Sequence, residues 1–266
     1  MGPRLDRPCD AHLHVVPRPG EADAALEAAR RHLAAVGAQR AVVVQAAADG
    51  ADPSTLVHAL PRLGIATRGV ISSAAADPSD LAVLHAAGVR GIRISGLGGT
   101  AVTLDGLRSA AAAASEAGWH LAYYPMDEDE WLALGPELGR LEVSVVVDHM
   151  ALRTWDPSGG PDQPGFRLLL DLVGDGAWVK ISGAFRRGTP PSWGDVASFA
   201  RLLAQRAPDR TVWGSDWPFL AFEGPGPTAP QLLGWLADAL PDEADRHRVL
   251  VDNPSVLYGF DDPEES

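Results

Sequence analysis

The chain has 266 residues, of which 46% are apolar and 21% are charged, as in an ordinary globular protein with a sizeable core. Its formal net charge of −13 disfavours nucleic acids and anionic membranes as partners. The single cysteine, Cys9, excludes an internal disulfide and fits a reducing compartment.

The chain start, MGPRLDRPCD, lacks the apolar segment of a secretory signal, and no run of 18 apolar residues occurs elsewhere. We therefore expect a cytoplasmic protein, with neither a membrane nor a nucleic acid as partner. The sequence leaves the oligomeric state open.

Short β-branched runs alternate with longer stretches rich in alanine and leucine. The predicted strands cover 9–15, 40–46, 65–71, 89–95, 120–125, 143–149, 177–183 and 210–217. The predicted helices cover 21–36, 53–63, 79–87, 103–117, 127–138, 164–174, 192–206 and 229–239. This rhythm predicts an α/β fold, a (β/α)8 TIM barrel in which residues 1–266 form one domain. A doubly wound sheet would alternate in the same way, but no Gly-x-Gly-x-x-Gly turn opens the first helix.

Strand 1 carries two histidines at the start of the barrel. His12 and His14 are two residues apart, so on a strand their side chains point to the same face and converge on one spot. Two imidazoles in this position can hold a metal ion or an oxygen atom. The strand alone does not decide between them.

Further polar residues end other strands, where a (β/α)8 barrel builds its active site. His149 closes the apolar run VSVVVDH, where an imidazole needs hydrogen-bond partners. Asp216 precedes Trp217-Pro218 rather than a helix, which argues against a helix-capping role. Asp148 is predicted to point away from His149 and to pair with a helix.

Arginines also accumulate at the predicted strand ends. Arg93 lies inside the strand segment GIRIS, and an inward guanidinium there needs an anionic partner. The sequence does not decide whether Arg90 or Arg93 faces the pocket. Arg186 and Arg187 are adjacent, so we expect only one of them to face it. By contrast, Cys9 is predicted to be a core residue, and the histidines on helices, His32 among them, are predicted to be structural.

Several motifs, in chain order, cover nearly the whole sequence: DAHLHV, VVVQ, LHAAGVRGIRIS, VVVDHM, WVKISGAFR, VWGSDWP and DNPSVLYGF. Together they resemble the amidohydrolase superfamily, and within it the branch of 2-pyrone-4,6-dicarboxylate lactonase and related lactonases. The resemblance implies a distorted (β/α)8 barrel of amidohydrolase type that hydrolyses a cyclic ester. Its partner would then be a small-molecule substrate, with a carboxylated lactone among the candidates.

The resemblance also implies roles for particular residues. His12, His14 and His149 would polarise the lactone carbonyl by hydrogen bonds or positive charge. Asp216 would take a proton from the attacking water and pass it to the leaving oxygen. The implied pocket residues that hold carboxylates or line the wall are Arg93, Tyr124, Arg153, Arg186 and Trp217.

Metal-dependent relatives complete their ligand set with a strand-5 histidine or a carboxylated strand-4 lysine. Here strand 5 reads HLAYYPM and strand 4 reads VRGIRIS, so the resemblance implies an enzyme without a cofactor. One alternative is a hydrolase or decarboxylase that binds Zn²⁺ or Mn²⁺ through His12, His14, His149 and Asp216. Another is a non-hydrolytic binding protein or cyclase on the same barrel. The loops after strands 1, 2 and 4 depart from the family's pattern, which leaves the particular substrate open.

Overall fold

The structure, a computed structural model, describes residues 7–260. Within this range one parallel sheet contains eight strands that neighbour one another in chain order. They are β1 (Cys9–Leu13), β2 (Arg40–Val44), β3 (Ala66–Ser72), β4 (Val89–Ser95), β5 (His120–Tyr124), β6 (Val145–Val147), β7 (Trp178–Ile181) and β8 (Thr211–Trp213). The predicted (β/α)8 architecture is confirmed, while the outermost residues of the predicted domain, 1–6 and 261–266, lie outside the described residues.

A helix follows each strand, and all eight agree with the predicted positions. They are α1 (Ala22–Ala35), α2 (Ser54–Ala59), α3 (Leu81–Ala86), α4 (Leu104–Glu116), α5 (Glu128–Leu138), α6 (Pro164–Gly174), α7 (Gly194–Arg206) and α8 (Ala229–Ala239). Two short C-terminal helices, α9 (Glu243–His247) and α10 (Asn253–Tyr258), were not predicted. No helix within 7–260 is both long and apolar enough to cross a membrane.

The sheet closes between β8 and β1 through an irregular seam. The backbone N–H of His14 donates to the Trp217 carbonyl at 2.7 Å, and that of Asp216 donates to the His12 carbonyl at 2.8 Å. The buried Asp10 carboxylate accepts the backbone N–H of His12 at 3.2 Å, where the β1 register shifts. This seam brings the first and last catalytic candidates to one end of the barrel.

The opposite end of the barrel is packed with apolar side chains. Cys9 belongs to this cluster, as predicted, together with small and β-branched residues of the other strands. Tyr258 and Phe260, from the C-terminal segment, also pack there. Arg68 fastens the segment by donating to the carbonyls of Tyr258 at 3.1 Å and Gly259 at 2.6 Å. The amino-terminal end of the barrel is therefore a packed core, and the candidate catalytic residues lie at the carboxyl-terminal end.

Strands β6 and β8 end earlier than predicted, at Val147 and Trp213. The chain leaves the sheet there, and φ reaches 51° at His149 and 64° at Asp216. Residues other than glycine rarely adopt such angles, which cluster at functional sites. These two candidates are consequently held on tight turns rather than on strands.

Candidate active site

All four predicted catalytic side chains meet at the carboxyl-terminal end of the barrel. Nε2 of His12 lies 3.3 Å from Nε2 of His14. Oδ1 of Asp216 lies 3.9 Å from Nε2 of His12, 4.0 Å from that of His14 and 3.9 Å from that of His149. Each of the four residues is buried. One carboxylate oxygen thus faces three imidazoles.

The Nδ1 atoms of His14 and His149, which point away from Asp216, have well-defined hydrogen-bond partners. Nδ1 of His14 lies 2.7 Å from the Val44 carbonyl oxygen, and because a carbonyl only accepts, Nδ1 carries a proton. Neutral His14 therefore offers Nε2 to the site as an acceptor. Nδ1 of His149 lies 2.8 Å from the Ser182 hydroxyl, which can donate and so leave the ring proton on Nε2.

A buried ionic network that the sequence interpretation missed lies next to His12. Nζ of Lys180, on β7, lies 3.0 Å from Oδ1 of Asp148 and 3.4 Å from Nδ1 of His12. Nε of Arg93 donates to Oδ2 of Asp148 at 2.7 Å. The prediction that Asp148 pairs with a helix is wrong. Val146 belongs to the apolar cluster inside the barrel, so side-chain alternation places Asp148 on the inner face as well, and it is His149, with a φ of 51°, that departs from alternation.

Burial keeps the three imidazoles neutral at pH 7. It lowers the pKa of His14 and of His149 to about 4. Burial, together with the nearby Lys180 ammonium, holds the pKa of His12 well below 6.5. Burial alone would raise the pKa of Asp148, but its cationic neighbours hold it well below 3.8. The positive charge of the site therefore resides on lysine and arginine, and the imidazoles act as hydrogen-bonding groups.

A cavity of about 550 Å³ opens above His14 and His149, and the fully buried His12 lies beneath its lining. Its lining includes most of the predicted site residues, namely His14, Arg93, Tyr124, His149, Arg153, Arg186 and Asp216. Nε of Arg186 donates to Oδ2 of Asp216 at 2.6 Å, and Nε of Arg153 donates to the Met126 carbonyl at 2.9 Å. The Tyr124 ring packs edge-on against His149, with centroids 4.9 Å apart. The cavity is thus cationic although the whole chain is acidic.

The structure resolves both arginine ambiguities. Arg93 lines the cavity, whereas Arg90 donates to the carbonyls of His85 and Val89 at the other end of the strand. The expectation that only one of Arg186 and Arg187 faces the pocket is wrong. A 3-10 turn, rather than a strand, ends at Arg186, so both guanidinium groups reach the cavity lining.

The predicted pocket position of Trp217 differs from the observed one. Its indole stacks on His32 of α1, with centroids 5.3 Å apart, and lies outside the cavity lining. Asp216 has a positive φ, so the chain turns and the next side chain is directed toward the helices. His32 is structural, as expected, and it also lies 3.6 Å from the carboxylate of Asp10.

The fit of a metal ion to this cluster is limited by His12. Ligand atoms of His12, His149 and Asp216 lie within 4.8 Å of one another, and these residue types bind zinc. A metal-binding histidine usually donates its other N–H to a carboxylate or carbonyl. Nδ1 of His12 instead has the Lys180 ammonium at 3.4 Å, while the Asp148 carboxylate, at 3.7 Å, is beyond hydrogen-bond distance. The donor set therefore does not fit a metal ion at His12.

Comparison with known proteins places the chain in a family. The amidohydrolase family model matches residues 9–260. The chain belongs to the amidohydrolase family. This amidohydrolase is 34% identical to D-galactarolactone isomerase from Agrobacterium fabrum, over 86% of the chain and 79% of that protein. It is 32% identical to 2-pyrone-4,6-dicarboxylate hydrolase from Comamonas testosteroni, over 97% of the chain and 83% of that protein.

A solved structure extends this agreement to three dimensions. The apo crystal structure of a protein from Agrobacterium tumefaciens superposes with a TM-score of 0.81 at 28% identity, over 97% of both chains. The resemblance inferred from the sequence motifs is confirmed, and the family match of this amidohydrolase includes every catalytic candidate.

Proposed function

We propose that this amidohydrolase opens a cyclic ester with water and does so without a metal ion. The observation that carries the proposal is the Asp216 carboxylate, which faces three neutral imidazoles at 3.9–4.0 Å beneath a cavity lined by arginines. The relatives named as a lactone isomerase and a pyrone-dicarboxylate hydrolase support a cyclic ester as the substrate.

The gap between Asp216 and the histidines suits one bound oxygen atom. An oxygen about 2.8 Å from both partners would make an angle of about 90° between them. A water held there gives a proton to Oδ1 of Asp216 as its oxygen attacks the carbonyl carbon. The proton then moves to the ring oxygen as the ring C–O bond breaks, which leaves a hydroxy acid. Arg186 holds Oδ2 of the same carboxylate and keeps Oδ1 directed at the water.

The hydrogen-bond partners of the histidines divide their roles. Neutral His14 keeps its single proton on the Val44 carbonyl, so its Nε2 accepts a proton rather than donating one. His12 and His149 are then the residues that donate to the lactone carbonyl oxygen and stabilise the developing oxyanion. His14 accepts the hydrogen bond of the attacking water. The sequence interpretation had given all three histidines the donor role.

The arginines favour a lactone that carries a carboxylate. Arg93 and Arg153 are each fixed through Nε, and their terminal nitrogens have no hydrogen-bond partner among residues 7–260. A guanidinium anchored in this way presents the two parallel donors that bind a carboxylate. The ester ring would lie over Asp216 with its acidic substituent toward these two side chains.

A panel of lactones tests this function. Hydrolysis is followed as acid release for carboxylated lactones and for their neutral methyl esters. We expect higher kcat/KM for the acids, and an Arg153→Gln variant whose KM rises for the acids alone. Absence of turnover on every lactone would contradict the function, and equal turnover of acids and esters would contradict the role of the arginines.

A metal-dependent hydrolase or decarboxylase is the second candidate, favoured by the clustering of His12, His149 and Asp216. It predicts stoichiometric Zn²⁺ or Mn²⁺ in the purified protein and loss of activity on chelation. The neighbours of His12 argue against it. Metal analysis of the active protein separates the two candidates directly.

A further inference from the structure

Lys180 is the only lysine in the chain, in which arginine occurs 21 times. Its side chain is completely buried, and the proposed reaction does not use it. Burying an ammonium is costly unless it is paired and hydrogen-bonded, and here Asp148 supplies the pairing charge at 3.0 Å. Because this burial is costly, an ammonium next to the active site indicates that Lys180 has a function there.

The contacts around His12 fix where its proton lies. Nε2 of His14 is an acceptor, so in the 3.3 Å contact between the two rings Nε2 of His12 must be the donor. A neutral His12 with its proton on Nε2 has a lone pair on Nδ1. Nζ of Lys180, which lies 3.4 Å from that nitrogen, has protons to give. Both contacts therefore require the same tautomer of His12.

We propose that Lys180 is a positioning residue that keeps the proton of His12 on Nε2, where it is available to the lactone carbonyl oxygen. Without the ammonium, the Asp148 carboxylate 3.7 Å away becomes the partner that attracts a proton to Nδ1. Nε2 would then be a bare lone pair, unable to stabilise an oxyanion. The value of this positioning for catalysis rests on the proposed function, whereas the tautomer itself does not.

Asp148 links this device to the substrate pocket. One of its oxygens holds Lys180, and the other accepts from Nε of Arg93. The Asp148 carboxylate therefore orients Lys180, which sets the His12 tautomer. It also orients Arg93, which we assign to the carboxylate of the substrate. Asp148 can hold both cations because it lies on the inner face of the barrel, two residues after the inward-facing Val146.

Nitrogen NMR of the wild-type protein tests the tautomer without any substrate. In protein labelled with [15N]histidine, His12 should show a protonated Nε2 and an unprotonated Nδ1, with the signals assigned from a His12→Gln spectrum. Because the chain has one lysine, [15Nζ]lysine labelling yields a single side-chain signal, which should be that of an ammonium. A proton on Nδ1 of His12, or a neutral amine at Lys180, would overturn the proposal even if lactones are hydrolysed.

A Lys180→Met variant tests the consequence for catalysis, because methionine has a similar length and no donor. We expect kcat to fall about 100-fold, the usual effect of losing one oxyanion donor, while KM changes little. The His12 proton should move to Nδ1, and Zn²⁺ affinity should rise. Arg68→Met is the matched control, because Arg68 is also a buried cation but binds the C-terminal segment. Equal losses of kcat in the two variants, or an unchanged tautomer in Lys180→Met, would contradict the positioning role.

Discussion

Removing the negative charge of the buried Asp148 carboxylate should lower the free energy of unfolding substantially. Asp148 and Lys180 are both 0% exposed and Arg93 is 8% exposed. Asp148→Asn keeps the shape of the side chain but leaves two buried cations without their counter-charge. Breaking a buried ion pair from one side costs about 3–5 kcal/mol. That is a large part of a total free energy of unfolding of about 5–15 kcal/mol. Urea unfolding followed by tryptophan fluorescence measures the loss.

A matched surface network provides the control. Glu137 also pairs with two arginines, contacting Arg108 at 3.1 Å and Arg140 three residues along the chain. Both of these arginines are more than half exposed. Glu137→Gln should therefore cost less than about 1 kcal/mol. If Asp148→Asn costs no more than Glu137→Gln, the network beneath the histidines does not carry the energy assigned to it.

Further predictions concern pH, catalysis and packing. His14 and His149 have a pKa of about 4 when folded, so between about pH 6.5 and 4 the unfolded chain binds more protons. The free energy of unfolding should therefore fall as the pH is lowered through that window, by up to about 1.4 kcal/mol per histidine and pH unit. An unfolding midpoint that stays the same from pH 7 to pH 5 would contradict this. Arg186→Gln should lower kcat at least about tenfold by releasing Asp216, with an unfolding midpoint near that of wild type; unchanged kcat would mean that other contacts orient the carboxylate. Gly214→Ala places a Cβ 2.5 Å from Cβ of His12, so it should cost about 1–3 kcal/mol in urea unfolding, and a neutral result would refute this close approach.

The alternation of strands and helices was predictable because each element repeats one pattern over many residues. Strand β4 and helices α6 and α8 have the predicted bounds. Strands β1, β2, β6, β7 and β8 end two to four residues before their predicted ends, because the chain leaves the sheet there. Asp148 was predicted on the wrong side because the prediction counted alternation from an inward His149, whereas alternation holds only for extended backbone and the turn of residues 149–151 has positive φ throughout.

His12 and His14 were found from their spacing on strand 1, and His149 and Asp216 from their place at predicted strand ends, whereas Lys180, inside strand 7, was not singled out. Its signals were the single occurrence of lysine in the chain and its place in the otherwise apolar run WVKIS. Neither observation predicts which residues the Lys180 ammonium contacts. The contacts with Asp148 and His12 come from strands distant in sequence, and only the closed barrel shows that these side chains meet.

The central claim is that Asp216 activates water for lactone opening without a metal ion. The most direct measurement is kcat of chelator-treated protein, with its metal content determined on the same sample and Asp216→Asn measured alongside. The account predicts undiminished turnover at a metal content far below one ion per chain, and a loss of at least about 100-fold in the variant. Activity that disappears with the metal and returns in proportion to added Zn²⁺ would contradict it.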